Sequence, residues 1–360
     1  MMRFWSVFLA FIGAAAVPAA DTGPLAGAVI VVDPGHGGQR YSKSYTGGTR
    51  GVVFRLTESE LNLRVAVELA KLLKENGATV HMTRLGDHRL SREGSSNSDE
   101  LHARIDFFEH YNVHFFLSVH HNAGGPGSGH TALHKNNAAD VTLYKALAQD
   151  VNDALEGAVP GPKLALIGNR PYHILSQTDI PGTISESGFM TNRAYDELSM
   201  RPDYPPKEAA AICKGAIKYW TEHKDAIVAL REKLMQERAA HPRDPKTYTA
   251  IDLNPEFRVR MDELLARVAP GGKYDPAKAG EYVAKFKEVV VTDPAATFTV
   301  KAEYDGKVIR LSGATSDRKY HDTLIDLFVA MKLYDITNDI KVPPAPRESR
   351  RRPAPPALRR

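Results

Sequence analysis

Between residue 28 and about residue 220 the chain alternates two kinds of hydrophobic pattern. "AVIVVD" is an unbroken apolar run of strand length, the pattern of a strand buried on both faces. It gives way to "ESELNLRVAVELAKLLKENG", where Leu61, Val65, Leu69, Leu72 and Leu73 recur at helical spacing. The same alternation continues through a strand at "ATVHMTR", a helix around "LHARIDFFEHY", a strand at "VHFFLSV" and a helix from about Ala138 to Leu155. Short strands at "YHILSQ" and "GTISES" follow. Strands alternating with helices predict an α/β fold: a mostly parallel twisted sheet with helices on both faces.

After Pro205 the pattern turns helical. Ile212, Ala216, Tyr219, Ile227, Leu230 and Leu234 form one long stripe and "EFRVRMDELLARV" a second. These predict a helix closing a domain over residues 20–225, then a helical connector over 226–285. Residues 286–342 read as a small α+β module. Asp305 and Gly306 sit between two strand patterns, a strong short-range hairpin signal, and a helix from about Asp317 to Lys332 and a strand at "ITNDIKV" follow.

Composition changes this picture at the two ends. Arg3 precedes the apolar run "FWSVFLAFIGAAAV", and "VPA" then offers small residues for a signal peptidase. Residues 1–19 therefore read as a signal peptide, with the mature chain starting near Ala20 or Asp21. The run is shorter than the roughly 20 apolar residues of a spanning helix, so no transmembrane segment is expected in the mature chain. The net charge of +4 is concentrated at the far end: from Pro343 onward there are six arginines against one glutamate. That Pro/Arg-rich tail, 343–360, cannot bury a core and reads as disordered. It is either a solvated terminus or a salt-sensitive contact to an anionic envelope surface. The remaining chain is near neutral, and no nucleic-acid partner is expected. Cys213 is the only cysteine and lies on a helical stripe as a core thiol, so any metal must be held by His, Asp or Glu.

Candidate chemistry collects at one edge of the predicted sheet. His36, His120 and Glu186 each stand at the carboxyl end of a predicted strand, where open α/β sheets bind ligands. Two glutamates of "TESE" compete for a fourth place, and capping separates them. With Thr57 as N-cap, Glu60 completes a capping box, leaving Glu58 free to point off the helix end. His36, Glu58 and His120 then make a His-Glu-His set suited to a zinc ion with one open position. Glycines 35, 37 and 38 let the chain turn tightly around His36.

"VVDPGHGG", "ESELNL", "LSVHHNA" and "SESGFMTN" resemble, in order, four signature segments of the zinc-dependent N-acetylmuramoyl-L-alanine amidases, of the type with a single α/β catalytic domain. The resemblance covers roughly residues 27–222. It implies Zn2+ as cofactor, His36, Glu58 and His120 as its ligands, and Glu186 as the catalytic glutamate. It also implies peptidoglycan as substrate, cut between N-acetylmuramic acid and L-alanine. Strand alternation lets only one of His120 and His121 face the site, and the motif alignment picks His120. Asn122 and His173, near the same edge, are candidate substrate contacts, and Arg84 reads as a structural ion-pair residue. The segment 286–342 resembles a BON domain, an envelope module associated with membrane surfaces or partners. Two other readings stay open: a zinc peptidase cutting within the stem peptide, and a wall-binding adaptor without activity. The simplest location is the periplasm, with release to the outside second.

Overall fold

The protein is described here from a computed structural model covering residues 22–37, 47–87, 89–91, 95–125, 127–138, 140–168, 172–241, 255–306, 308–331, 333 and 336–343. The expected signal peptide, Gly38 and the basic tail beyond Pro343 lie outside the described residues.

Strand β1 (Val29–Pro34), helix α1 (Glu58–Glu75), β2 (Thr79–Met82), α2 (Asn97–His110), β3 (Phe115–Asn122) and β4 (Thr131–Leu133) come first. Then follow α3 (Thr142–Leu155), α4 (His173–Ser176), β5 (Gly182–Phe189), α5 (Arg193–Ser199) and α6 (Tyr204–Ala240). The five strands form one sheet in the order β2-β1-β3-β5-β4, parallel except for β4, which runs antiparallel to β5. Alternation sorts the side chains onto two faces. Ile30, Val32, Phe115, Leu117 and Val119 pack with α1, α3 and α6, while Val31, Phe116 and Ile184 pack with α2 and α4. The sheet is thus covered on both sides, as the apolar runs imply.

One expected strand is a helix. "YHILSQ" folds as the single turn α4, in which Tyr172 O accepts from Leu175 N and Ser176 N. Ile174 and Leu175 are buried, but so short an apolar run carries no periodicity to separate a strand from one helical turn. Helix α6 runs unbroken through 37 residues, across the expected boundary at 225/226.

Helices α7 (Pro255–Val268) and α8 (Ala279–Val290) precede β6 (Lys301–Tyr304), β7 (Ile309–Ala314), α9 (Arg318–Ala330) and β8 (Ile336–Lys341). Strands β6 and β7 form the expected hairpin at Asp305–Gly306, and β8 joins β7 in parallel. The expected connector is not a separate element. Met261, Leu264, Val268, Tyr282 and Phe286 of α7 and α8 share one core with Leu311, Leu324 and Phe328 of the small module. Their apolar stripes need a partner, and the β6-β7-β8 sheet with α9 supplies it.

Candidate metal centre

The site is built where β1 ends. His36 has φ +60°, a left-handed conformation disfavoured for a side chain with a Cβ by roughly 1–2 kcal/mol. Several buried donors hold it there. Arg84 donates to Pro34 O (2.9 Å), Gly35 O (2.9 Å) and Ser59 O (2.7 Å). Arg104 donates to His36 O (2.6 Å) and Pro34 O (3.0 Å), and Asn62 Nδ2 donates to Gly35 O (3.1 Å). Arg84 thus works as a carbonyl clamp linking the His36 turn to the start of α1. Gly35 is required by its neighbour: a Cβ there would stand 2.1 Å from His120 Nε2.

Thr57 caps α1, accepting from Glu60 N (3.3 Å), and so places Glu58 at the first helical position. The carboxylate of Glu60 accepts from Arg64 (2.6 Å), so the reciprocal half of the expected capping box is replaced by a surface ion pair. Glu58 Oε1 lies 3.2 Å from His36 Nε2 and 2.9 Å from His120 Nδ1, while Oε2 accepts from Thr49 N (3.0 Å). The two imidazole rings meet edge to face, with centroids 4.9 Å apart. One donor atom from each of His36, Glu58 and His120 falls within 4.8 Å of the other two.

The electrostatics follow from burial and these contacts. Burial alone would raise the Glu58 pKa, but hydrogen bonds with His120 and His36 outweigh it and hold the carboxyl well below its ordinary range. Desolvation holds His36 below the ordinary histidine value, which favours the neutral, ligating form. Glu186 pairs directly with His120 across the parallel β3–β5 ladder and therefore shares its face. Burial, together with the negative charge of Glu58, pushes its pKa up to about 8, against the opposing charge of His121. Its Oε2 is buried with no hydrogen-bond partner among the described residues. Two ring nitrogens competing for one carboxylate oxygen, beside an unsatisfied second carboxylate, form a donor set that fits a zinc ion.

A family model described as N-acetylmuramoyl-L-alanine amidase matches residues 30–218, just over half of the chain. This chain belongs to that family. The germination-specific N-acetylmuramoyl-L-alanine amidase of Bacillus subtilis is 29% identical over 209 residues, covering 56% of this chain and 84% of the relative. A probable cell wall amidase, LytH, of Staphylococcus epidermidis is 32% identical over 212 residues, and the match spans 56% of this chain and 61% of that protein. Among solved structures, the N-acetylmuramoyl-L-alanine amidase from Clostridium difficile 630 aligns with 53% of this chain and 96% of its own, at 26% identity and TM-score 0.45. The amidase AmiC2 of Nostoc punctiforme aligns with 55% of this chain at 23% identity and TM-score 0.45.

In this amidase the neighbouring histidines part company. His120 faces Glu58, whereas His121 turns to the opposite face of the sheet, where it is fully buried. Because Asn62 spends its amide nitrogen on Gly35 O, its Oδ1 is the acceptor for His121 Nδ1 (2.7 Å). His121 Nε2 donates to Glu208 Oε2 of α6 (3.1 Å). Burial opposes a charged ring there, but Glu208 and the other nearby carboxylates outweigh it and raise the His121 pKa. The backbone N–H of His121 also reaches Glu58 Oε1 (3.3 Å), so this network touches the Glu58 carboxylate from behind.

Beneath the site, Asp33 accepts from Arg104 (2.5 Å), Thr83 Oγ1 (2.6 Å) and Ser118 Oγ (2.7 Å). Burial works against its charge, yet these partners hold its pKa below the usual carboxylate range. Asn62, Arg104, Asp33 and Glu208 were not apparent as site residues from the sequence. "DPGHGG" and "LHAR" contain two of them, but only the fold shows what their side chains meet. Asn122 ends β3, with Oδ1 accepting from its neighbour Ala123 N (2.8 Å). His173 lies on α4, where its ring meets His102 of α2 edge-on at 4.4 Å. A second His/Asp/Glu group, Asp150, Glu222 and His223, carries its own counter-cation: the Lys218 ammonium pairs with Asp150 and lies 3.6 Å from Glu222.

Proposed function

We propose that this amidase hydrolyses the amide between N-acetylmuramic acid and L-alanine of peptidoglycan, with zinc held by His36, Glu58 and His120 and with Glu186 as general base. The observation that carries the reading is the convergence of those three donor atoms at an open strand edge beside a carboxylate with an unsatisfied oxygen. Zinc in that position supplies a Lewis acid for the scissile carbonyl and lowers the pKa of an attacking water from about 15.7 to about 7.

The protein's own residues do the rest. Hydrogen bonds with His120 and His36 keep Glu58 ionised against its burial, and burial keeps the His36 imidazole neutral against the pull of Glu58. Glu186 takes the proton of the attacking water and returns it to the departing alanine nitrogen, which otherwise leaves as a poor amide anion. Its raised pKa owes part of its shift to the charge of Glu58, so neutralising Glu58 with a bound cation lowers it toward the ionised form a base needs. Asn122, at the strand end two residues beyond His120, is the proposed substrate contact from β3. His173 is the second candidate, with its ring held by His102.

No helix among the described residues is long and apolar enough to cross a membrane. A signal peptide at 1–19 and action in the periplasm complete the reading, with the 286–342 module and the basic tail as contacts to the envelope. The deciding experiment is metal content together with product identity: quantify zinc on the purified chain, then digest peptidoglycan with and without a chelator. About one zinc per chain with chelator-sensitive release of intact stem peptides supports the proposal. Shortened stems still attached to sugar would replace the amidase assignment with a peptidase, and absence of zinc would refute the ligand set.

A further inference from the structure

The chain enters α1 through a small hairpin. Arg50 and Thr57 form an antiparallel bridge, and Gly51 N donates to Leu56 O (3.0 Å). At the tip, Val52, Val53 and Phe54 are 46%, 40% and 51% exposed. Single exposed apolar residues are ordinary, but contiguous ones mark a surface that something else covers.

This tip is held in place. Asp196 of α5, fully buried, accepts from Val53 N (2.6 Å) and Phe54 N (3.2 Å). Gly51 approaches it so closely that a Cβ would lie 2.1 Å from Asp196 Oδ1. Arg55 has φ +60°, a strained conformation for a residue with a side chain. A buried carboxylate and a strained residue are costly ways to shape a surface loop, and strain of this kind persists where the surroundings over-determine it. Their joint effect is to keep three apolar side chains in water instead of letting them fold inward.

The base of the hairpin is the metal centre itself. Thr49 N donates to Glu58 Oε2 (3.0 Å), and Glu58 N donates to Thr49 O (2.9 Å). At about 3.3 Å per extended residue the tip is on the order of 10 Å from Glu58, within reach of a long substrate seated at the metal. Exposed Arg50 and Arg55 flank the apolar triplet.

We propose that Val52, Val53 and Phe54, with Arg50 and Arg55, form a rim that grips the peptidoglycan strand next to the scissile bond. The apolar tip covers methyl groups and sugar faces of the strand, and the two guanidinium groups pair with carboxylates of its acidic stem peptides. This rests on the amidase reading above, and it assigns recognition of the polymer to the hairpin and bond cleavage to the metal edge.

The test compares the wild type with the triple variant Val52→Ser, Val53→Ser, Phe54→Ser, whose changes lie on the surface. Stem-peptide release from intact sacculi is measured over a range of substrate concentrations, and co-sedimentation with sacculi is measured separately in a Glu186→Ala background. The expected result is a rise in KM on sacculi of about tenfold or more, the scale of losing one well-buried apolar side chain, with weaker co-sedimentation and unchanged zinc content. Unchanged KM and co-sedimentation would overturn the proposal. Loss of binding to anionic phospholipid vesicles, with sacculus binding intact, would overturn it in favour of a membrane contact. A wild type that sediments with sacculi through the tip but releases nothing refutes the amidase reading and leaves the rim standing. One that neither sediments nor cleaves refutes both.

Discussion

The polar clusters beside β3 differ in how far their own neighbours satisfy them. Behind the strand, His121 uses both ring nitrogens, on Asn62 and Glu208, although Glu208 Oε1 is left without a hydrogen-bond partner among the described residues, and on the other face Asp33, beneath the candidate site, has three donors. At the metal edge, two imidazoles share one oxygen of Glu58, and Glu186 keeps an unsatisfied oxygen. A buried charge with its partners in place has finished its work within the fold. A converging set that its own neighbours leave incomplete is organised for something that comes from outside.

The largest effect expected from breaking this contrast is catalytic. Glu186→Ala should lower kcat on peptidoglycan by about a thousand- to ten-thousandfold, the upper part of the range for a general base. Zinc content should stay at the wild-type level, as read by elemental analysis beside the assay. Removing a partner from a satisfied cluster should instead cost stability. Arg104→Ala leaves buried Asp33 without its cation, while Glu100 keeps Arg89, and urea denaturation should show a loss of about 3–5 kcal/mol. For Glu58→Gln, which keeps shape but lowers donor strength, zinc bound per chain after dialysis should fall well below that of the wild type.

A titration sharpens the same comparison in the metal-free protein. Glu186 has a folded pKa of about 8 against an ordinary value of 4.5. A carboxyl with a raised folded pKa binds its proton more tightly when folded, so its contribution is fully present below pH 4.5 and is lost as pH rises toward 8. Thermal unfolding of the chelated chain should therefore show falling stability across that window, by at most about 5 kcal/mol, and Glu186→Gln should flatten the slope. The smallest effect belongs to the exposed pair beside the site. Glu60→Ala removes the Arg64 contact and should change stability by about 0.5 kcal/mol or less in a melt.

Much of this arrangement was legible in local pattern. Uninterrupted apolar runs gave strands covered on both faces, and the polar residues that end them gave the positions of His36, His120 and Glu186. The Thr57 cap separated Glu58 from Glu60 correctly, although the rest of the capping box did not form. Alternation along β3 put His120 and His121 on opposite faces. Each of these rests on interactions within a few residues or on the period of one element. "YHILSQ" escaped the same reasoning because one turn is too short to show a period, and α7 and α8 escaped it because an apolar stripe does not name its partner.

What the sequence by itself determined is the order of elements, the α/β class and the three segments that bring His36, Glu58 and His120 to one sheet edge, since all of these are encoded in neighbouring residues. Only the tertiary structure decided that Glu208 braces His121 across 87 residues, that Asp196 holds the Val53–Phe54 tip across some 140, and that two arginines and Asn62 lock the His36 turn. The same holds for the environment that raises the Glu186 pKa. These depend on which distant groups are left facing one another in a space closed to water, where an unmatched charge is too costly to leave, and no local pattern records that choice.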